Sequence, residues 1–179
     1  MTGRIIVLAC GDELRGDDGV ALAVVGALPP AVLARAEVRI VRAVEVEDLV
    51  ALPVGSRVVI IDAVAGPAPG QLVEIELAAL HGRAPDRATP DAGASSAPDA
   101  AVKHPRTPGA PDVSPTSSHQ LPLPEVVALA GLLRNAPLEG RFVGVGIESV
   151  AFGSGLSRPV AAAVPALAAA VARAVRALG

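Results

Sequence analysis

Three short apolar runs constrain this chain more than any other feature: Arg4 to Ala9 (RIIVLA), Val58 to Ile61 (VVII) and Arg141 to Ile147 (RFVGVGI). In the first two, a continuous apolar run with no polar alternation fits a strand covered on both faces, the situation of a parallel sheet between helical layers, and Arg141 to Ile147 reads as a last strand. Val38 to Val44, where Arg39 and Arg42 interrupt apolar positions, predicts another strand, and the alternation of Gln71 to Leu77 (QLVEIEL) suits a half-buried edge. Helices are predicted over Gly19 to Leu28, Val46 to Leu52, Leu121 to Arg134 and the Ala-rich tail after Ser157, which Pro165 is expected to kink or divide. Strands alternating with helices define an α/β chain: three layers, with a twisted, mostly parallel sheet of about five strands between helices.

From about residue 81 to 116 the composition shifts to Pro, Ala, Ser, Asp and Gly. A stretch with so few large apolar residues does not bury enough surface to offset its ordering entropy, so it is read as a disordered insertion within a single domain spanning 1–179. Its length costs the fold little, because loop-closure entropy grows slowly.

Composition narrows the function. Phe142 and Phe152 are the only aromatic residues and the formal charge is -3, leaving neither stacking platforms nor a basic footprint for nucleic acid. Cys10 is the only cysteine, which excludes an internal disulfide and a thiolate-rich metal site. The apolar runs at Arg4 to Ala9 and Pro159 to Ala172 fall short of a membrane span, so a cytoplasmic protein with no membrane partner is expected.

Ligands of open α/β sheets bind outside the carboxyl ends of the strands. There the first loop places Asp12, Glu13, Asp17 and Asp18 among Gly11, Gly16 and Gly19, and the third strand runs into Asp62. The glycine spacing is not G-x-G-x-x-G, and carboxylates repel phosphate, so the acidic turn suits a cation or a cationic group better. Two readings stay open at each acid: Asp17 or Asp18 as a helix cap or as part of a cation site, and Asp62 as a hydrogen-bonded cap or as a desolvated carboxylate needing a partner. His119, just before a predicted helix, is either an ordinary surface residue or a ligand. His81 and His104 fall inside the insertion. Two oxygens and one imidazole make an incomplete site for a borderline metal such as nickel or zinc, with positions left open.

Four segments taken together resemble the nickel-iron hydrogenase maturation proteases: IIVLAC-GDELRGDDGV, VVIIDAV, SSHQLPLPEVVALA, and FVGVGIES followed by FGSGLS. In that resemblance Asp18, Asp62 and His119 fall on the metal-binding residues and converge in a twisted sheet between helices. The activity it implies is removal of the C-terminal extension of a hydrogenase large-subunit precursor after nickel insertion. Such an enzyme is a peptidase of aspartic type by family classification, is monomeric, and takes its nickel from the substrate without an organic cofactor. The implied mechanism has nickel of the precursor bound by Asp18, Asp62 and His119, or has Asp17 or Asp62 acting as a general base. A non-catalytic chaperone or sensor of the nickel-loaded subunit is the competing class. Three departures stand out: Asp12 replaces the usual Asn and adds charge beside the site, Val44-Glu45 stands where Gly-Thr is common, and the insertion before His119 is long.

Overall fold

The computed structural model describes residues 3–80 and 121–179. The insertion read from residue 81 onward, and His119 with it, lie outside the described residues. Five strands form one sheet: β1 (Ile5–Cys10), β2 (Ala36–Val41), β3 (Arg57–Val64), β4 (Leu72–Glu76) and β5 (Gly140–Gly146), in spatial order β2-β1-β3-β5-β4. All neighbours pair in parallel except β4, which runs antiparallel along β5. The α/β sheet expected from the apolar runs is therefore the one observed.

The period-two geometry of a strand sends alternate side chains to opposite faces, and β1 shows the consequence. Ile5, Val7 and Ala9 enter one core with Val59, Ile61, Val143 and Val145, beneath α1 (Val20–Ala27), α2 (Pro30–Leu33) and α5 (Arg158–Leu178). Ile6, Leu8 and Cys10 enter the other with Val58, Ile60 and Phe142, beneath α3 (Val46–Val50) and α4 (Leu123–Arg134). Phe142 is fully buried in this second core, while the other aromatic, Phe152, is 81% exposed.

Several boundaries differ from the sequence expectation. The third strand does not stop before Asp62 but continues to Val64, because β5 supplies backbone partners through Asp62↔Gly144 and Val64↔Gly146. The second strand begins earlier and ends at Val41, leaving Arg42 in the following turn. The tail is neither divided nor ended at Pro165, and α5 runs unbroken for 21 residues. It is long and apolar enough to cross a membrane by length and composition, yet half of that stretch is buried within the protein, with Val160, Leu167, Val171 and Val175 in the core.

Local devices tie the layers together. Arg134, at the end of α4, donates from Nη1 to the carbonyls of Leu49, Val50 and Leu52, and from Nη2 to that of Pro53. The orphan carbonyls at the end of α3 thus receive a charged donor from a helix distant in sequence.

Candidate active site at the carboxyl ends of β1 and β3

β1 leads out to β2 on one side, whereas the chain leaving β3 builds the other side of the sheet through β4 and β5. The carboxyl ends of β1 and β3 are thus a topological switch point, the place where an open α/β sheet leaves a crevice. Gly11 to Gly19 follows β1 there, and Asp62 lies two residues before the end of β3.

Gly11 has a φ of 122°, and a Cβ at that position would lie 1.9 Å from the Asp18 carbonyl oxygen. Only glycine lets the chain leave β1 and return this closely upon itself. Asp18 then bonds back across the loop, its Oδ2 accepting the Asp12 amide at 3.0 Å. Asp12 accepts the Leu14 amide and pairs with Arg42 at 3.1 Å, so the extra charge at position 12 has a cationic partner.

Burial raises the Asp18 pKa above its ordinary value, and the Asp12 charge adds to it. The Asp12 amide, Arg15 and Arg42 oppose the rise. Asp62 moves further, to about 7, chiefly through desolvation with a further push from the charge on Asp18, while the Ala63 amide opposes it. One Asp62 oxygen, Oδ1, accepts that amide at 2.8 Å. Asp62 is thus no ordinary cap on a neighbouring loop: its one hydrogen bond among the described residues is to the next residue's amide.

Asp17 and Asp18 were open to a capping role, and neither side chain caps α1, whose N-cap is Gly19. Asp17 has no exposed surface. Its Oδ2 accepts the amides of Glu148 (2.8 Å) and Ser149 (3.1 Å), and its Oδ1 accepts that of Ser157 (2.6 Å). Burial alone would raise its pKa, but these amides outweigh burial and hold it below the usual carboxylate range. The partners lie more than a hundred residues away in sequence, where no local pattern points to them.

Cys10, on the same face of the sheet as Asp62, is fully buried. Burial pushes its thiol well above its ordinary pKa, and the charges of Asp62, Asp48 and Asp18 add to this. It is a structural hydrophobe rather than a nucleophile. The structure brings Asp18 and Asp62 within electrostatic reach of each other. Among the described residues no cluster of three His, Cys, Asp or Glu side chains forms a complete metal site.

The fold is that of the hydrogenase maturation endopeptidases. The endopeptidase HybD from E. coli superposes with a TM-score of 0.65 at 22% identity, covering 98% of this chain and 94% of that one. The HybD maturation protease from Thermococcus kodakarensis gives 0.55 at 21% identity over 95% and 97%. The solution structure of the endopeptidase HycI from Escherichia coli gives 0.57 at 18% identity over 95% and 90%. At these identities the likeness establishes the fold. No family model matches the sequence, and no curated protein matches it.

Proposed function

We propose that this protein is a cytoplasmic, monomeric endopeptidase that removes the C-terminal extension of a nickel-iron hydrogenase large-subunit precursor once nickel has been inserted. The observation that carries this reading is the pair Asp18 and Asp62 at the switch point, with Asp62 held to a pKa of about 7. The fold shared with solved maturation endopeptidases supports it, as does the four-segment resemblance that includes His119.

In this reading Asp18, Asp62 and His119 would hold the nickel that the precursor already carries, so the metal belongs to the substrate. Two carboxylates and an imidazole suit a borderline divalent ion and leave positions for the precursor's own ligands. Nickel polarises the scissile carbonyl. Where Asp62 acts as the base instead of as a ligand, leaving the nickel to Asp18 and His119, it suits that role better than Asp17: its pKa of about 7 lies near the operating pH, and one of its oxygens is not committed to an amide. Asp17 has both oxygens engaged and no contact with solvent. Ionised Asp62 takes a proton from water as the water oxygen attacks the carbonyl carbon. It returns that proton to the departing amide nitrogen, so the proton balance closes within one turnover.

The test is incubation of the purified protein with nickel-loaded and nickel-free precursor, followed by intact mass. Loss of a C-terminal peptide from the loaded form alone is the expected result. Stable complex formation with unchanged mass would instead make the protein a chaperone or sensor. Loss of hydrolysis in Asp18→Ala with nickel-dependent binding intact would remove Asp18 from the recognition role.

A further inference from the structure

β3 lies between β1 and β5, so the loops that follow β1 and β5 flank the strand end that carries Asp62. These two loops are stitched together across that end. Besides the three amides donated to the Asp17 carboxylate, Asp17 N–H donates to Ser149 O (2.9 Å), Gly16 N–H to Ser154 O (3.1 Å) and Gly153 N–H to Leu14 O (2.7 Å). Gly16 has a φ of 58°, and a Cβ there would meet Ser149 O at 2.7 Å and Ser154 Oγ at 2.8 Å, so the seam is close-packed. The residue after Asp17 is Asp18, whose carboxylate and amide are themselves fixed within the first loop by Asp12 and Arg15.

We propose that Asp17 is a positioning residue: by clamping the loop after β5 to the loop after β1, its buried carboxylate sets where Asp18 stands relative to Asp62. The inference rests on the peptidase reading above and assigns Asp17 a role outside the proton transfer. Of the six cross-loop bonds, half end on this one carboxylate. A carboxylate accepting amides is a stronger and more directional tie than a neutral acceptor. Peptide hydrolysis depends on the separation of its acting groups to within a fraction of an ångström, and a misplacement of about 1 Å can cost about a hundredfold in rate.

Two variants test this without touching the acting acids. Asp17→Asn keeps the side-chain shape and removes the charge and one acceptor. Ser157→Pro keeps Asp17 and removes only what Ser157 offers it, the amide donated to Oδ1 together with the hydroxyl. The Ser157 backbone (φ -60°, ψ 155°) already matches that of Pro29 and Pro122, which occupy the equivalent position before α2 and α4.

Both variants and the wild type are assayed on nickel-loaded precursor well below their melting temperatures, with amide hydrogen exchange measured at Glu148 and Ser149. Faster exchange at these amides with kcat reduced about tenfold or more in Asp17→Asn, and about threefold in Ser157→Pro, is the expected result. KM should rise along with the fall in kcat, because Asp18, which the seam positions, also contacts the nickel of the substrate. An unchanged kcat per folded molecule, with the amides exposed, overturns the proposal and leaves Asp17 a purely structural tie. Should Asp17→Asn not fold, Ser157→Pro decides alone. A wild type that does not cleave overturns the peptidase reading instead, and the positioning role falls with it.

Discussion

Asp18, in the turn after β1, and Asp62, near the end of β3, are coupled: the charge on Asp18 adds to burial in raising the Asp62 pKa to about 7. Both acids belong to loops or strand ends that the sheet order brings side by side. A carboxylate that changes charge near neutral pH is suited to accepting a proton and releasing it again.

The first expectation concerns pH. If Asp62 is the base, it must be ionised, so hydrolysis should rise as pH increases through about 7 in the free enzyme. Neutralising Asp18 by Asp18→Asn removes a charge that raises the Asp62 pKa, so the Asp62 midpoint should move down. Carboxyl carbon shifts followed by NMR over pH 4 to 9 read this without needing activity. A midpoint that stays put, or rises, would show that the two acids are not coupled.

The same elevation affects stability. The unfolded chain titrates Asp62 near the ordinary value of 3.8 and the folded chain near 7. Between these values the folded state binds the extra proton, so the Asp62 contribution to stability falls as pH rises through that window. Moving from 3.8 to about 7 corresponds to a ceiling of about 4 kcal/mol. Asp62→Asn should therefore abolish hydrolysis yet raise the melting temperature at pH 8, with little gain at pH 4. Thermal unfolding at the two pH values checks it, and an equal shift at both would remove Asp62 ionisation as the cause.

Asp17 carries the opposite sign. Its folded pKa is depressed, so its stabilisation is present above the ordinary carboxylate value and is lost as pH falls through the folded value. Breaking a buried, charge-assisted network of three amides should cost about 2 to 4 kcal/mol at pH 7 in Asp17→Ala. Urea unfolding should show this gap narrowing in acid, where wild-type Asp17 is itself protonated.

How much of this was legible in the sequence follows from the range of each interaction. β1 and β3 announced themselves because burial on both faces demands apolar residues at every position, as in Ile5 to Ala9. The end of β3 did not, since its continuation past Asp62 depends on pairing with Gly144 and Gly146. The acids of the first loop were visible as a cluster, but their separate fates were not. Asp17 and Asp18 are neighbours in sequence, and only the distant amides of Glu148, Ser149 and Ser157 make one a buried tie and leave the other beside Asp62. The departure at Asp12 was legible as added charge, whereas its pairing with Arg42 depended on where β2 ended.

That pairing supports a last expectation. Arg42 is 84% exposed and its ion pair with Asp12 is open to solvent, so Arg42→Ala should change stability by no more than about 0.5 kcal/mol. Its electrostatic effect reaches further, because Arg42 lowers the Asp18 pKa while Asp12 raises it. Without the guanidinium, the Asp12 charge acts on Asp18 unopposed by this partner, and the Asp18 pKa should rise. The more fully Asp18 is protonated, the less it favours a cation, so at pH 6 and low salt Arg42→Ala should weaken binding of nickel-loaded precursor more than it does at pH 8. Added salt screens exposed charges over a decay length of about 8 Å at physiological ionic strength, and should shrink the difference between wild type and variant. Binding measured at two pH values and two salt concentrations checks it, and a deficit independent of both would mean that Arg42 acts by contact with the precursor instead of through Asp12 and Asp18.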